Sequence, residues 1–511
     1  MKKIKYIALS LLALGMVACE NDLVEDLRDR NNTDDGPLPE LTTGSADFSN
    51  YVAIGPSFTA GFTDNGLFIA AQENSFPNII AGKFANAGGG TFTQPWMNDN
   101  FGGLAAGGMR ITDPRLVFGG AGPVPLEAVI GPVTVSTDIV LNNPTGPFNN
   151  LGIPGAKSFH FVAPGYGNIA NFPAAANPYA VRVTGNAPNA SILELAVAQN
   201  PTFFTADLIG GNDVLGYATA GGDANINQIT DPATFQAAFN AIIAGLTANG
   251  AKGVVTNIPY VSSLPYFTTV PHDPIPLDAA TAGFLNSASA YGAYNAGVAQ
   301  ALGALVQLNQ ITQEIADAEL AKRTISFSAG ENNAVVILDE SLIDLTGLNP
   351  ALVSMRQATA EDLVVLPAAS FIGTEAIPGN PQTVNGVAIP LADRWILTPE
   401  EQAEIVTAVD SYNATISSVA DANGLALVDV NAILTQASTT GIMFDDYNMN
   451  TDLVFGGLVS LDGVHLTARG YALMANSFLQ AIDATYGSNF EASGNLAEAG
   501  DFPTNYSPTL Q

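Results

Sequence analysis

The chain has almost no cysteine: Cys19 is the only one among 511 residues. No internal disulfide can form, so stability has to come from a buried core. A chain of this length with 47% apolar residues can supply one. Histidine is nearly as scarce, at three residues, and only 16 basic side chains stand against 47 acidic ones. The formal net charge of −31 opposes binding to nucleic acid and to anionic lipid headgroups. It suits a soluble body and a neutral or cationic substrate. Also missing are a cysteine–histidine cluster suited to zinc, a P-loop, a basic stripe, and any repeat at solenoid or propeller spacing. No cofactor is expected. Asp223-x-Asn225-x-Asn227 and Asp446-x-Asn448-x-Asn450 begin with calcium-loop spacing but lack the glycine and the distal glutamate of a full loop. They read as polar turns, and no metal site is expected.

The first residues carry a compartment signal. Lys2, Lys3 and Lys5 precede an apolar run, Tyr6 to Ala18, that is short for a membrane span but suits a signal peptide. Cys19 stands where the small-residue cleavage site ends. Residues 1–18 are therefore expected to be removed, taking three lysines and carrying the formal charge from −31 to −34. An ordinary signal peptide with an incidental cysteine is the plainer alternative. Residues 19–45 are acidic, polar and poor in apolar side chains, and read as a flexible tether.

From residue 46 short apolar runs alternate with Gly, Pro and Asn. Tyr51–Ile54, Thr205–Ile209, Gly253–Asn257 and Leu425–Asp429 are expected strands. Ile192–Gln199, Asp231–Ala248, Pro399–Ala422 and a last segment from Val464 to about Ala484 are expected helices, with Asp231 capping the second and Pro232 in its first turn. Such alternation predicts an α/β fold with a mostly parallel sheet. Ligands bind such sheets beyond the carboxyl ends of the strands. Two stretches break the pattern, about 104–148 (irregular β) and about 262–395 (Pro-rich, then helical over about 278–322, then β-like). Both read as insertions into a domain spanning 46–490, with 491–511 as a tail.

Four segments carry chemistry. Gly55-Pro-Ser57-Phe-Thr-Ala-Gly61 follows the first strand and can present a serine hydroxyl at the top of the sheet, or merely cap a helix. A serine needs a base to act as a nucleophile at neutral pH. Among His160, His272 and His465, only His465 has an aspartate, Asp462, three residues before it. That spacing can orient one imidazole nitrogen and free the other; it also fits a capped helix start. Ile209-Gly-Gly-Asn-Asp213 could aim the Asn212 amide at a developing oxyanion, or be a plain turn. Leu151-Gly-Ile-Pro-Gly155 offers a backbone N–H for the same oxygen. Trp96 and Trp395 could line a cleft or sit in the core.

In this order, Gly-x-Ser near the start, a glycine loop, Gly-x-Asn-Asp, then Asp-x-x-His near the end, these blocks resemble the SGNH hydrolases, also called the GDSL family. The resemblance spans about residues 48–485 and is greatest to long lipoprotein members from Bacteroidetes. It implies a three-layer α/β/α, flavodoxin-like fold and ester hydrolysis through an acyl-enzyme. Ser57 matches the nucleophile, His465 the general base and Asp462 its orienting partner. Gly155, with Gly152 as the alternative, and Asn212 match the oxyanion donors, joined by the Ser57 N–H. Cys19 matches a lipidated cysteine, which implies an outer-membrane or cell-surface protein held by a lipid anchor. Lipid esters and acylated or acetylated glycans are the implied substrates. One position departs from the pattern: Pro56 stands where the family has aspartate. Proline removes a donor and keeps Gly55 extended, while leaving the Ser57 hydroxyl and N–H intact. The departure motivates a rival expectation, a weak or inactive hydrolase-fold surface protein that binds glycan or lipid.

Overall fold

The computed structural model describes residues 37–510. Cys19, the signal segment and most of the tether lie outside the described residues. Five strands form the central sheet: β1 (Tyr51–Gly55), β2 (Asn150–Gly152), β3 (Phe203–Ala206), β4 (Lys252–Thr256) and β5 (Ala426–Val428). Every pairing is parallel, in the order β2-β1-β3-β4-β5. The winding reverses between β1 and β3, which opens a crevice at the carboxyl ends of those two strands. β1 is buried at all five positions, as an inner parallel strand covered on both faces must be.

The helices used below are α1 (Ser57–Ala60), α2 (Phe76–Ala85), α3 (Ile192–Val197), α4 (Gly211–Thr219), α5 (Pro232–Thr247), α6 (Tyr291–Gln307), α7 (Gln313–Arg323), α8 (Pro399–Asn423) and α9 (Ala468–Tyr486). The two-residue period of a strand sorts them into two cores. Val52, Ile54, Phe204 and Val255 face α5 and α8, meeting Phe235, Ile242, Val409 and Tyr412. Tyr51, Ala53, Phe203 and Val254 face the other way, onto Phe84 of α2 and Tyr471, Phe478 and Ile482 of α9. Helices thus cover both faces of the sheet. Local signals set their ends. Asp231 accepts from the Ala233 and Thr234 N–H groups at 2.9 and 3.3 Å, with Pro232 in the first turn of α5. α8 starts in a reciprocal Thr398–Glu401 capping box and stops at Gly424, whose φ of 61° is left-handed.

Several boundaries differ from the sequence expectation. β3 occupies Phe203–Ala206 rather than Thr205–Ile209, because Leu208 takes φ 44° and turns the chain out of the sheet. The last helix begins at Ala468 rather than Val464. Thr467 caps it by accepting from the Gly470 N–H at 2.9 Å, while Leu466 pairs with Val459 in an isolated bridge. The helical stretch near 278–322 is three helices, Ala279–Leu285, α6 and α7; Thr312 caps the last and Asn309 turns with φ 54°. β2, α2 and α4 were not expected at all.

The 104–148 region folds into short hairpins, Leu104–Ala106 with Met109–Thr112 and Leu116–Phe118 with Pro123–Pro125. The 262–395 region adds Val336–Leu338 paired with Met355–Gln357, and a buried Arg356 gripped by Asp339 and Asp362 at 2.5 and 2.7 Å. The chain ends are held down. The Ser45 N–H donates to the Tyr486 carbonyl at 2.8 Å, and Tyr506 packs on Phe68 with ring centroids 5.0 Å apart. No helix among the described residues is long and apolar enough to cross a membrane.

Candidate active site

The nucleophile turn is shaped by crowding. A Cβ on Gly55 would lie 2.2 Å from Thr59 Oγ1 and 2.6 Å from the Asp207 carbonyl oxygen, so only glycine fits where β1 ends. Pro56 takes the N-cap position of α1 and its carbonyl accepts from the Ala60 N–H at 3.3 Å. Its missing N–H costs no helical bond there, because helix geometry never pairs that donor. Ser57 is therefore the first helical residue, 6% exposed, with its N–H among the unpaired first-turn amides.

His465 reaches it from the far end of the chain. Its Nε2 lies 2.8 Å from Ser57 Oγ, and its Nδ1 lies 2.8 Å from Asp462 Oδ2. With the carboxylate accepting at Nδ1, the free electron pair of Nε2 faces the hydroxyl, which is the arrangement a general base requires. Asp462 Oδ1 also accepts from the backbone N–H groups of Val464 and His465 at 2.9 and 2.8 Å. Burial alone would raise the Asp462 carboxyl, but the adjacent His465 and these N–H donors outweigh it and hold it well below the usual range. The Phe58 and Phe62 rings flank the imidazole at 5.3 and 4.8 Å.

A second layer was missed by the sequence reading. Thr63-Asp-Asn-Gly66 forms a tight turn with Asp64 and Asn65 at φ 51° and 59°. The Asn65 N–H donates to Asp462 Oδ2 at 2.9 Å. The Asp64 N–H donates to Ser460 Oγ, which in turn donates to Asp462 Oδ1 at 3.0 Å. Burial, partly offset by the Leu461 N–H, brings the Asp64 carboxyl up to about 7. The Asp64-Asn65 pair was the available signal, since these two residue types tolerate the left-handed conformation that a two-residue turn needs at both centres.

The oxyanion candidates lie in loops after β2 and β3, the strands that flank β1. Asn212 sits in the first turn of α4 and donates one amide N–H to the Ala156 carbonyl at 2.9 Å, and its second amide hydrogen has no acceptor among the described residues. Asp213 grips the same loop, accepting from the Ser158 N–H and hydroxyl at 2.7 and 2.6 Å. Gly155 is left-handed at φ 78° and exposed, and its N–H has no partner among the described residues. Gly152 differs. Its N–H donates to Asn150 Oδ1 at 2.9 Å, and a Cβ there would stand 2.2 Å from the Ala60 nitrogen. Of the two glycines, Gly155 alone has a donor to offer.

Asp207 lies directly under the nucleophile turn. Its N–H donates to the Ile54 carbonyl at 3.1 Å and its Oδ2 accepts from Thr59 Oγ1 at 3.3 Å, while Oδ1 is buried without a partner. Burial pushes this carboxyl up to about 8, far above the ordinary range of an aspartate. A raised folded-state pKa means the unfolded chain releases the proton first. The contribution to stability is complete below the unfolded value and is lost as pH rises towards about 8. The urea midpoint is expected to fall across that window, and Asp207→Asn is expected to flatten the fall. Equal slopes in wild type and variant would remove Asp207 from the account.

The other histidines stand apart from Ser57. His160 stacks on Tyr166 at 4.3 Å, and burial together with Lys157 lowers it to about 4; His272 sits 3.9 Å from Asp273. Trp395 stacks on Phe371 at 5.0 Å and Trp96 is 42% exposed. Comparisons with protein-family models, with curated proteins and with solved structures return no match.

Proposed function

We propose that this chain is a serine ester hydrolase of the SGNH, or GDSL, type that works through an acyl-enzyme on a lipid ester or an acylated or acetylated glycan. One observation carries the reading: Ser57 Oγ, His465 and Asp462 are joined by two contacts of 2.8 Å each, from residues 408 apart in the chain. In the first step His465 Nε2 takes the Ser57 proton as Oγ attacks the ester carbonyl. Asp462 stabilises the imidazolium, which then protonates the departing alcohol. In the second step His465 activates water against the acyl-enzyme, and Ser57 is regenerated. The first-turn N–H of Ser57, the free N–H of Gly155 and the Asn212 amide are the donors assigned to the oxyanion. Asn212→Ala is expected to lower kcat by about 10²–10³-fold with little change in KM. An equal loss in kcat/KM and kcat supports that role, whereas a rise in KM alone excludes it.

The doubly wound strand order and the helices on both faces support the three-layer, flavodoxin-like form of this fold. We assign Cys19 as the lipidated residue of an outer-membrane or cell-surface lipoprotein, with no cofactor and no nucleic acid partner. The direct test is a fluorophosphonate probe followed by peptide mapping. Labelling at Ser57, lost in His465→Ala, is the expected result; no adduct, together with no hydrolysis of short- or long-chain p-nitrophenyl esters or acetylated polysaccharides, sinks the enzyme reading.

A second reading has one observation in its favour. The 262–395 insertion holds a cleft of about 1140 Å³, lined by Phe284, Tyr291, Leu352, Met355 and Val384, with no triad residue among its walls. A surface binding protein on a hydrolase scaffold would use such a cleft and leave Ser57 idle. The probe experiment separates the two.

A further inference from the structure

The seam between the 262–395 insertion and the sheet-bearing body gathers three carboxylates from separate pieces of chain. Glu340 follows the strand Val336–Leu338, Asp393 opens the 3-10 turn Asp393–Trp395, and Glu401 lies in the first turn of α8. One oxygen from each lies within 4.8 Å of the others. Like charges this close repel strongly unless a positive charge intervenes. Among the described residues none of the three makes an ion pair. The cations nearby in the chain are engaged elsewhere. Arg394 lies 4.7 Å over the Trp395 ring, Lys322 reaches Glu400, and Arg356 is held by Asp339 and Asp362.

Glu401 takes the case beyond crowding. It is only 6% exposed, and its Oε2 accepts from the Thr398 N–H and hydroxyl at 2.7 and 2.8 Å. Its Oε1 is buried and has no hydrogen-bond partner. A carboxylate oxygen taken out of water and left bare is a costly feature for a fold to keep. The neighbouring backbone is cut away to admit it. A Cβ on Gly222 would lie 2.0 Å from Oε1, and one on Gly221 would lie 2.3 Å from the Asp393 carbonyl oxygen. Both glycines have positive φ, 70° and 84°, and they form the turn that follows α4. The same burial and crowding lift the Asp393 and Glu401 carboxyls above their ordinary range.

We propose that Glu340, Asp393 and Glu401 bind one calcium ion, which pins the insertion to α8 and to the turn after α4. An all-oxygen donor set selects a hard cation. Calcium accepts irregular geometry and several carboxylates, whereas magnesium demands a near-ideal octahedron and keeps most of its water. The exposed Glu340 leaves one side open for entry and for water ligands. α4 carries Asn212 in its first turn, so the ion braces the opposite end of that helix. Neither the triad nor ester hydrolysis is needed for this binding.

The test uses the full-length protein stripped with a chelator and titrated with calcium chloride, followed by calorimetry and by thermal unfolding. One ion bound per chain is expected, with the unfolding temperature raised on the order of 3 °C at saturation. Potassium chloride at matched ionic strength is expected to leave that temperature unchanged. Because Glu340 is exposed, Glu340→Gln keeps the fold, checked by an unchanged near-ultraviolet spectrum, and is expected to weaken binding about tenfold or more. Asp393→Asn is expected to abolish it. No heat of binding with an unmoved unfolding temperature, or a Glu340→Gln protein that binds calcium as tightly as wild type, overturns the proposal.

Discussion

Ser57→Ala is expected to lower kcat on the best ester substrate by about 10⁴-fold or more. Alanine removes the atom that attacks, and no neighbouring hydroxyl lies within hydrogen-bond reach of His465 Nε2 to replace it. Among the described residues the hydroxyl's one hydrogen bond is to the imidazole, so the unfolding temperature should stay close to wild type. His465→Ala should lose a comparable factor, and the double variant should be no worse than either single one. Groups that act as a unit are not additive. Initial rates on p-nitrophenyl esters for the three variants decide this. A Ser57→Ala protein that keeps more than about a hundredth of the activity would show another nucleophile at work.

Asp462→Asn is the second large effect, and it works through tautomers rather than through a lost atom. Asparagine keeps an oxygen to accept from the Val464 and His465 N–H groups, so the turn holds. The amide can present N–H to Nδ1 where the carboxylate presented an acceptor. That favours the imidazole with its proton on Nε2, facing Ser57 Oγ at 2.8 Å, where an acceptor is needed. The imidazolium also loses its counter-charge. A fall in kcat of about 10³–10⁴-fold is expected, with KM little changed. Near-wild-type kcat in a folded Asp462→Asn protein would mean that the short Asp462–His465 contact is only a turn cap.

The site was legible where chemistry dictates residue type. Ser57, His465 and Asp462 could be paired because one histidine alone has an aspartate three residues earlier. The structure joins them, and it removes the alternative of a helix start capped by Asp462, because Thr467 caps that helix and Asp462 accepts from the Val464 and His465 N–H groups ahead of it. The supporting layer was legible only as a turn: nothing local shows that the Asn65 N–H and the Ser460 hydroxyl converge on Asp462 from ends of the chain some four hundred residues apart. In the fold, β1, α5 and α8 announced themselves through apolar runs and caps. β2 did not: Asn150-Leu-Gly152 is three residues long and depends on the β1 backbone for its identity as a strand. The early end of β3 had no local sign either, since a leucine gives no hint of the positive φ that Leu208 adopts beside the buried Asp207. The three carboxylates at the insertion seam were invisible for a related reason. Asp393 and Glu401 are near neighbours in the chain, but Glu340 comes far earlier, and only folding brings the three together.

The separation of Ser57 from His465 has a further meaning. The serine lies in the turn just after the first strand of the sheet, and its partner His465 arrives 408 positions later, just before the last long helix. The segment before the first strand is bonded to the end of that same helix, through Ser45 and Tyr486. Contacts of this range form late and slowly, after the intervening chain has found its place. Under the proposed function, hydrolysis reports a folded molecule, because a chain truncated before His465 carries the serine without its base.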